Sequence, residues 1–316
     1  MSEIEYDVVI IGGGPGGLTA GIYAKRAALT TVLVEKGAPG GQIINSDEVE
    51  NYPGFEHISG AELGMKFSQH AGNYDLKVLG REVRTVIPGA SSHRVELDDG
   101  AVLTTRAVIL GTGGNPRKLG IPGEDEFYGK GVSYCAVCDG FFFKDKTVVV
   151  VGGGDSAAEE ALYLSKISRK VYIAHRRDAL RAGMLLQQRV FDECTIEMLW
   201  NTVLTAIKAN DEGVYAVDLE DTQTGAAREL PVDGVFIFIG FEANNAIVPA
   251  GVKMSALGHV ITDEKCETTI PGIYAIGDLR EKYARQIVTA AADGCVAALA
   301  AAHYVEAMKA EATCKL

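Results

Sequence analysis

The feature that most constrains the fold is an internal duplication. A buried-strand pattern, a glycine-rich loop, a helix pattern and a second strand pattern occur twice in the same order. The loops begin at Gly12 and Gly152, which are 140 positions apart, and the second strands end at Glu35 and His175, which are also 140 positions apart. Chance rarely produces two landmarks with the same offset. The chain is therefore predicted to contain two α/β domains of one kind.

Each loop has the spacing of a dinucleotide-binding turn, G-x-G-x-x-G in the first copy and G-x-G-x-x-A in the second. Such a turn places the backbone N–H groups at the start of a helix against a pyrophosphate. A single match is weak because glycine turns follow many strands, but two matches, each between a strand and a helix, predict two nucleotide sites. The candidate loop residues are Gly12, Gly14, Pro15 and Gly17 in the first copy and Gly152, Gly154, Asp155, Ser156 and Ala157 in the second.

Two segments rich in glycine, asparagine and proline, 113–116 and 240–245, follow buried-strand patterns and are predicted to carry the chain between domains. A hairpin is expected over 95–104, around Asp98-Asp99-Gly100. The predicted fold class is α/β, with two Rossmann-like three-layer nucleotide-binding domains, one inserted into the other. The outer domain is expected to comprise 1–115 and 246–316, and the inserted domain 116–245.

The residues after the second strand of each copy predict which nucleotide binds there. Glu35 can accept hydrogen bonds from a ribose diol, which suits an adenosine without a 2′-phosphate, as in FAD or NAD. His175, Arg176 and Arg177, with Arg181 shortly after, offer guanidinium groups that attract a 2′-phosphate. We therefore expect FAD in the first copy and NADPH in the second. The alternative for the basic cluster is an ordinary solvated strand end.

A further flavin contact is expected where Gly277 and Asp278 end a buried-strand pattern, shortly before an alanine-rich helix predicted over about 285–310. An aspartate there can bind polar groups of a ribityl-phosphate chain, and the alternative is an ordinary helix cap. The helix start at Arg285, Gln286 and Ile287 would direct the positive end of a helix dipole toward a reduced flavin.

A C-x-x-C-D motif, Cys135 to Asp139, lies between the two loops. It has three interpretations: zinc ligands, a redox pair or coincidence. A structural zinc site needs four ligands, usually from a second paired motif, and the remaining cysteines, Cys194, Cys266, Cys295 and Cys314, are scattered, so no metal is expected. A redox pair needs a thiolate and a proton donor, and Asp139 is a candidate donor or, alternatively, a helix cap.

Composition excludes several classes of partner. The formal charge of −12 argues against nucleic acid and anionic membranes. We found no run of 18 apolar residues, so no membrane span is expected. A strand pattern begins almost at the N-terminus, which leaves no room for a signal peptide. The expected location is the cytosol.

Nine motifs, in order, resemble bacterial low-molecular-weight thioredoxin reductases over essentially the whole chain. They are G-G-G-P-G-G at 12–17, G-G-Q-I at 40–43, V-E-N-Y-P-G-F at 49–55, G-T-G-G at 111–114, C-A-V-C-D at 135–139, G-G-G-D-S-A at 152–157, H-R-R-x-x-x-R at 175–181, G-D at 277–278 and R-Q at 285–286.

The resemblance implies a homodimeric FAD enzyme that passes electrons from NADPH to its disulfide and then to thioredoxin. Cys138 would contact the flavin and form a charge-transfer species with it, Cys135 would attack the partner disulfide, and Asp139 would be the acid. Gly41, Gln42, Asn51 and Thr112 would join the flavin site. In this family the inserted domain rotates on its two linkers, so that the disulfide faces first the flavin and then solvent.

One departure is Val137, where the family commonly has threonine; the change is expected to alter the redox potential without abolishing exchange. The alternatives are a ferredoxin- or flavin-driven reductase and a dithiol oxidase, whose members typically lack the second glycine loop and the arginines. A hydroperoxide reductase would need an extra N-terminal region, and the large animal-type enzyme a second C-terminal redox motif. A non-catalytic redox sensor is the alternative from a different class.

Overall fold

The structure is a computed structural model that describes residues 5–46, 49–211 and 213–314, without the side chains of 312–314. It divides into two compact units, Met1–Asn115 with Glu242–Leu316, and Pro116–Phe241. The outer unit is therefore discontinuous in sequence, and the inner unit is one segment. The side chain of Cys314, one of the scattered cysteines, lies outside the described residues.

The first part of the outer unit follows the strand–loop–helix pattern of the first copy. The predicted hairpin is present, and Gly100 N–H donates to Leu97 O across 3.1 Å at its turn. The α-helices and strands described up to the first crossing are β1 (Tyr6–Ile11), α1 (Pro15–Arg26), β2 (Thr31–Val34), α2 (Gly60–Gly72), β3 (Lys77–Leu79), β4 (Val83–Ile87), β5 (His93–Leu97), β6 (Val102–Leu110) and β7 (Gly114–Pro116).

The inner unit repeats the pattern and adds an antiparallel sheet. Its α4 begins at Asp155, because the glycine loop runs directly into the helix. Its elements are β8 (Val132–Ser133), α3 (Ala136–Asp139), β9 (Thr147–Gly152), α4 (Asp155–Leu164), β10 (Lys170–Ala174), α5 (Met184–Asp192), β11 (Ile196–Leu199), β12 (Thr202–Asn210), β13 (Gly213–Asp221), β14 (Ala227–Pro231) and β15 (Gly234–Phe238).

The chain returns to the outer unit through β16 (Phe241–Ala243), which pairs with β7, so the two crossings lie side by side as a two-stranded sheet. The last strand and helix are β17 (Ile273–Ala275) and α6 (Ile287–Cys314). The helix begins two residues after its predicted start. It packs closely against α1. A Cβ at Gly294 would overlap the backbone oxygen of Gly16 in α1, so this approach requires glycine.

The sheets place the loop ends of the first strands where a nucleotide fold requires them. In the outer unit the order is β3-β2-β1-β6-β5-β4, with β17 also pairing with β6, and β1 runs parallel to β2 and β6. In the inner unit the order β11-β10-β9-β15-β8 is entirely parallel, and β12-β13-β14 form a separate antiparallel sheet. Each glycine loop therefore follows a strand with parallel partners on both sides, and the predicted α/β class is confirmed.

The helix α6 is the one element, among the described residues, long and apolar enough to cross a membrane by length and composition, over Ile287–Glu311. A search for uninterrupted apolar runs does not detect this helix, because polar residues such as Asp293 and His303 interrupt the run. A single helix of this kind is weak evidence, since core helices pass the same test. Ala297, Ala301 and Val305 on its inner side belong to the hydrophobic core of the outer unit.

Candidate active site

The first glycine loop is shaped by close backbone contacts. Gly12 has φ +104°, and a Cβ there would overlap the carbonyl oxygen of Gly111. The N-cap of α1 is Gly14, which has no side chain to cap the helix, and Pro15 follows it. The N–H groups of the first turn are therefore not capped by a side chain of the N-cap residue, and they form the kind of site that binds phosphate.

Glu35, directly after β2, lies beneath this loop. Its carboxylate accepts hydrogen bonds from Gly13 N–H at 2.6 Å and Gly37 N–H at 2.7 Å. The side chain thus fixes the conformation of the loop. It occupies the position at which a dinucleotide-binding fold has a carboxylate for the ribose.

Gly41 completes a cradle opposite the loop. It has φ +65°, and a Cβ there would come within 2.9 Å of the Cα of Gly14, so this close approach to the first loop requires glycine. Gln42 donates to Asn115 Oδ1 at 2.6 Å, and Thr112 donates to the carbonyl of Asn244 at 2.7 Å. These residues of the outer unit adjoin the points where the chain crosses to the inner one.

The Gly277–Asp278 loop follows β17, as predicted. Burial raises the pKa of Asp278, and the charges of Lys282 and Arg285 oppose that rise. Asn51 donates to Gln286 Oε1 at 3.4 Å, which brings two predicted flavin residues together. Ile287 is the first residue of α6. A desolvated carboxyl beside two cations is suited to binding the polar chain of a flavin nucleotide.

Asp293 holds this loop, and sequence reasoning missed it. Its carboxylate accepts from Gly277 N–H at 3.0 Å, Arg280 Nη1 at 2.8 Å and Lys282 Nζ at 2.9 Å. All three charged side chains are largely buried. The available signal was an aspartate inside an otherwise apolar helix, with two basic residues shortly before that helix.

Arg285 contacts a buried histidine. Its Nη2 lies 3.1 Å from His259 Nε2. Burial, reinforced by the positive charge of Arg285, lowers the pKa of His259, so the imidazole is neutral at pH 7 and accepts from the guanidinium. This contact fixes the orientation of the Arg285 guanidinium, a group predicted to bind the flavin.

The second glycine loop is built like the first. Gly152 has φ +156°, a Cβ there would overlap the carbonyl oxygen of Phe238, and Gly154 is the N-cap of α4. Asp155 accepts from Gly183 N–H at 2.7 Å, and Arg181 N–H donates to Gly153 O at 2.6 Å. The loop over 176–183 is therefore fixed against the glycine turn.

His175 and the three arginines are placed differently. His175 is 5% exposed, contacts Gly153 and packs edge-on against Trp200 at 6.4 Å between ring centroids. Burial lowers its pKa, so the ring is neutral at pH 7. Arg176, Arg177 and Arg181 are exposed, as are Ser156 and Asp155, whereas Ala157 is buried. The exposed arginines are free to reach a phosphate in solution, and the histidine acts in packing.

Cys135 and Cys138 form a disulfide, with their Cα atoms 5.3 Å apart. Cys135 is the N-cap of α3, and its Sγ accepts from Cys138 N–H at 3.2 Å. Asp139 accepts from the hydroxyl of Ser133 at 2.5 Å, and the same hydroxyl accepts from Cys135 N–H at 3.0 Å. Ser133, which is buried and was not predicted, therefore ties the carboxyl to the first cysteine.

The other described cysteines lie apart from this pair. Cys194 is exposed, Cys266 is buried and Cys295 is half-buried. Burial raises the pKa of the Cys266 thiol to about 11. Within the described ranges there is no group of three or more histidine, cysteine, aspartate or glutamate residues that could hold a metal ion.

Comparison with known proteins shows the family of this chain. The family model for pyridine nucleotide-disulphide oxidoreductases matches residues 6–294. Thioredoxin reductase of Bacillus subtilis is 47% identical over 98% of both chains. The crystal structure of thioredoxin reductase from Streptococcus pyogenes is 43% identical, covers 96% of this chain and 98% of its own, and has a TM-score of 0.93. The Lactococcus lactis thioredoxin reductase, described in its FR conformation, is also 43% identical over 95% and 99% of the two chains, with a TM-score of 0.64.

Two nucleotide loops and a disulfide between them in sequence define a pyridine nucleotide-disulphide oxidoreductase. Within that class, the chain belongs to the thioredoxin reductase family.

Proposed function

We propose that the chain is an NADPH-dependent thioredoxin reductase, which transfers electrons through FAD and the Cys135–Cys138 disulfide to oxidised thioredoxin. The observation that carries the proposal is the disulfide itself, formed on a short helix between two glycine loops in a chain 47% identical to a thioredoxin reductase. The net charge of −12 is consistent with a cytosolic enzyme without nucleic-acid or membrane partners.

The outer unit is the proposed FAD domain. Its uncapped helix start, its glycine cradle and its desolvated Asp278 fit a flavin dinucleotide. The residues proposed to bind FAD are Gly12, Gly14, Pro15, Gly17, Glu35, Gly41, Gln42, Asn51, Thr112, Gly277, Asp278, Arg285, Gln286 and Ile287.

The inner unit is the proposed NADPH domain. Its loop is equivalent, and the exposed guanidinium groups supply the charge for a 2′-phosphate. The residues proposed for this site are Gly152, Gly154, Asp155, Ser156, Ala157, Arg176, Arg177 and Arg181, with His175 supporting the loop from beneath.

FAD, when bound, supplies a centre that accepts a hydride from NADPH and delivers an electron pair to a disulfide. Two-electron reduction with uptake of one proton would open the Cys135–Cys138 bond to one thiol and one thiolate, and Cys135, as the thiolate, would attack the disulfide of thioredoxin. Cys138 then displaces thioredoxin from the mixed disulfide and restores the starting bond. Asp139, held by Ser133, is placed to hold and release the proton that accompanies these exchanges.

The two crossings provide the proposed hinge for a rotation of the inner unit between its reaction partners. Gly113 and Gly240, one near each crossing, have positive φ and suit a backbone that must change direction. NADPH and the disulfide must reach the same flavin in turn, and both belong to the inner unit, so a movement of that unit is required.

A homodimer is proposed with α6 as part of its interface. Val288, Val296 and Leu299 on this helix are exposed apolar side chains. A second copy of the chain would cover them and remove apolar surface from water.

An anaerobic titration tests the assignment. NADPH should bleach the flavin absorbance and should do so much faster than NADH. Oxidised thioredoxin added afterwards should restore the oxidised flavin spectrum. Flavin that stays reduced after thioredoxin is added would contradict the proposed electron path.

A further inference from the structure

Glu160 lies on α4 but contacts the dithiol helix. Its carboxylate accepts a hydrogen bond from the backbone N–H of Ala136 at 3.1 Å, and it also interacts with the N–H of Val137. Ala136 is fully buried and directly follows Cys135. The carboxylate therefore reaches the first turn of α3 between the two cysteines of the motif.

The surroundings of Glu160 weaken solvent screening of its charge. Burial raises its pKa, and the two hydrogen bonds from α3 oppose that rise. The charge of Glu159 on the same helix also raises the pKa of Glu160, and the titratable groups on the α3 side are Cys135, Cys138 and Asp139. The core behind α4 is apolar and includes Val148, Ile173, Phe236 and Leu164, and Tyr163 on α4 itself is the titratable side chain packed against it.

A negative charge on Glu160 disfavours a thiolate on Cys135 after the disulfide is reduced. Backbone N–H groups at the start of a helix normally stabilise a thiolate at the N-cap. Here Cys135 Sγ accepts a hydrogen bond from the N–H of Cys138. The N–H groups of Ala136 and Val137 donate to the carboxylate of Glu160 instead. An ionised carboxylate next to Cys135 also repels a thiolate there, so it favours the protonated thiol.

We propose that Glu160 is a positioning residue for the dithiol, which holds the first turn of α3 on α4 and restrains ionisation of Cys135. This role rests on the proposed function of Cys135 as the attacking thiol. The helix α4 begins at the second glycine loop, so the element proposed to receive the NADPH pyrophosphate also sets the reactivity of the disulfide pair.

The test measures alkylation of Cys135 in reduced holoenzyme. The enzyme is reduced anaerobically with NADPH and treated with iodoacetamide over a range of pH, and the modified Cys135 peptide is quantified by mass spectrometry. Glu160→Gln should lower the midpoint of the pH profile by about one unit, which raises alkylation below the midpoint about tenfold. Glu159→Gln, its exposed neighbour, is the matched control and should leave the midpoint unchanged.

Glu160→Asp keeps the charge but shortens the side chain. It should retain a midpoint near that of the wild type, even if its melting temperature falls. A midpoint unchanged or raised in Glu160→Gln, or lowered equally in Glu160→Asp, would overturn the proposal. Failure of the proposed function would be seen separately, as wild-type enzyme that does not turn over with thioredoxin.

Discussion

His175 contacts Gly153 in the inner unit as Glu35 contacts Gly13 in the outer unit. A Cβ at Gly153 would overlap the imidazole, and a Cβ at Gly13 would come within 2.9 Å of Glu35 Cγ. The residue after the second strand thus supports the middle glycine in both copies. In one copy it is a carboxylate and in the other a neutral ring. Under the proposed NADPH assignment, selection of the phosphorylated ribose is therefore ascribed to the exposed arginines.

Replacing Arg176, Arg177 and Arg181 together by alanine should abolish the preference for NADPH. Three charge-assisted contacts with a 2′-phosphate would be lost, so kcat/KM for NADPH should fall on the order of 100-fold or more, while kcat/KM for NADH stays within about twofold. Steady-state kinetics with both nucleotides measures the change.

The matched control for that variant is Arg169→Ala. Arg169 is also exposed but lies next to the opposite end of β10, where it donates to Thr147. It should leave both values unchanged. Equal loss with NADPH and NADH in the triple variant would show that the arginines do not recognise the 2′-phosphate.

Serine substitutions distinguish the two cysteines. Cys135→Ser should retain reduction of the flavin by NADPH, lose turnover with thioredoxin, and show a long-wavelength absorption band from a Cys138 thiolate beside oxidised flavin. Absorption spectra of both serine variants test this assignment. The band in Cys138→Ser, and not in Cys135→Ser, would mean that the roles are reversed.

Asp293→Asn should loosen the Gly277–Asp278 loop. The substitution leaves Arg280 and Lys282 without their anionic partner in a largely buried setting, which should cost about 3 kcal/mol of unfolding free energy and weaken FAD retention. Urea unfolding and FAD release on dilution measure the two effects. Glu281→Gln changes an exposed carboxylate in the same segment and should alter neither; equal behaviour of the two variants would argue against the role of Asp293.

Cys266 should make stability depend on alkaline pH. Its folded-state pKa of about 11 lies above the ordinary value of 9.0, so the folded state retains the proton more tightly. The resulting stability is fully present below pH 9 and is lost as pH rises toward 11, by at most about 3 kcal/mol. The unfolding free energy of wild type minus that of Cys266→Ala should therefore fall between pH 8.5 and 11.

Exposed Cys194 provides the control for that experiment. The corresponding difference for Cys194→Ala should stay constant over the same range. A constant difference for Cys266→Ala would mean that its thiol ionises as readily in the folded protein as in the unfolded one.

The duplicated loops, the strands around them and the C-x-x-C could be predicted because short-range rules determine them. Gly12 and Gly152 need backbone freedom, and the apolar runs need burial on both faces. Ser133 and Glu160 could not be predicted, since each acts through a contact that only the folded chain creates. Asp293 left a signal, a carboxylate inside an apolar helix, but its partners are fixed only by folding. The sequence pattern groups His175 with the arginines that follow it, but the alternation of side chains along β10 directs His175 inward, whereas the arginines are exposed.

The most direct test of the account is the stoichiometry of thioredoxin reduction. Purified enzyme, NADPH and oxidised thioredoxin are mixed without oxygen, and NADPH loss and new thioredoxin thiols are counted together. The account predicts two thiols for each NADPH consumed, and none with Cys135→Ser. NADPH that bleaches the flavin but leaves thioredoxin oxidised, or that is consumed only when oxygen is admitted, would contradict it.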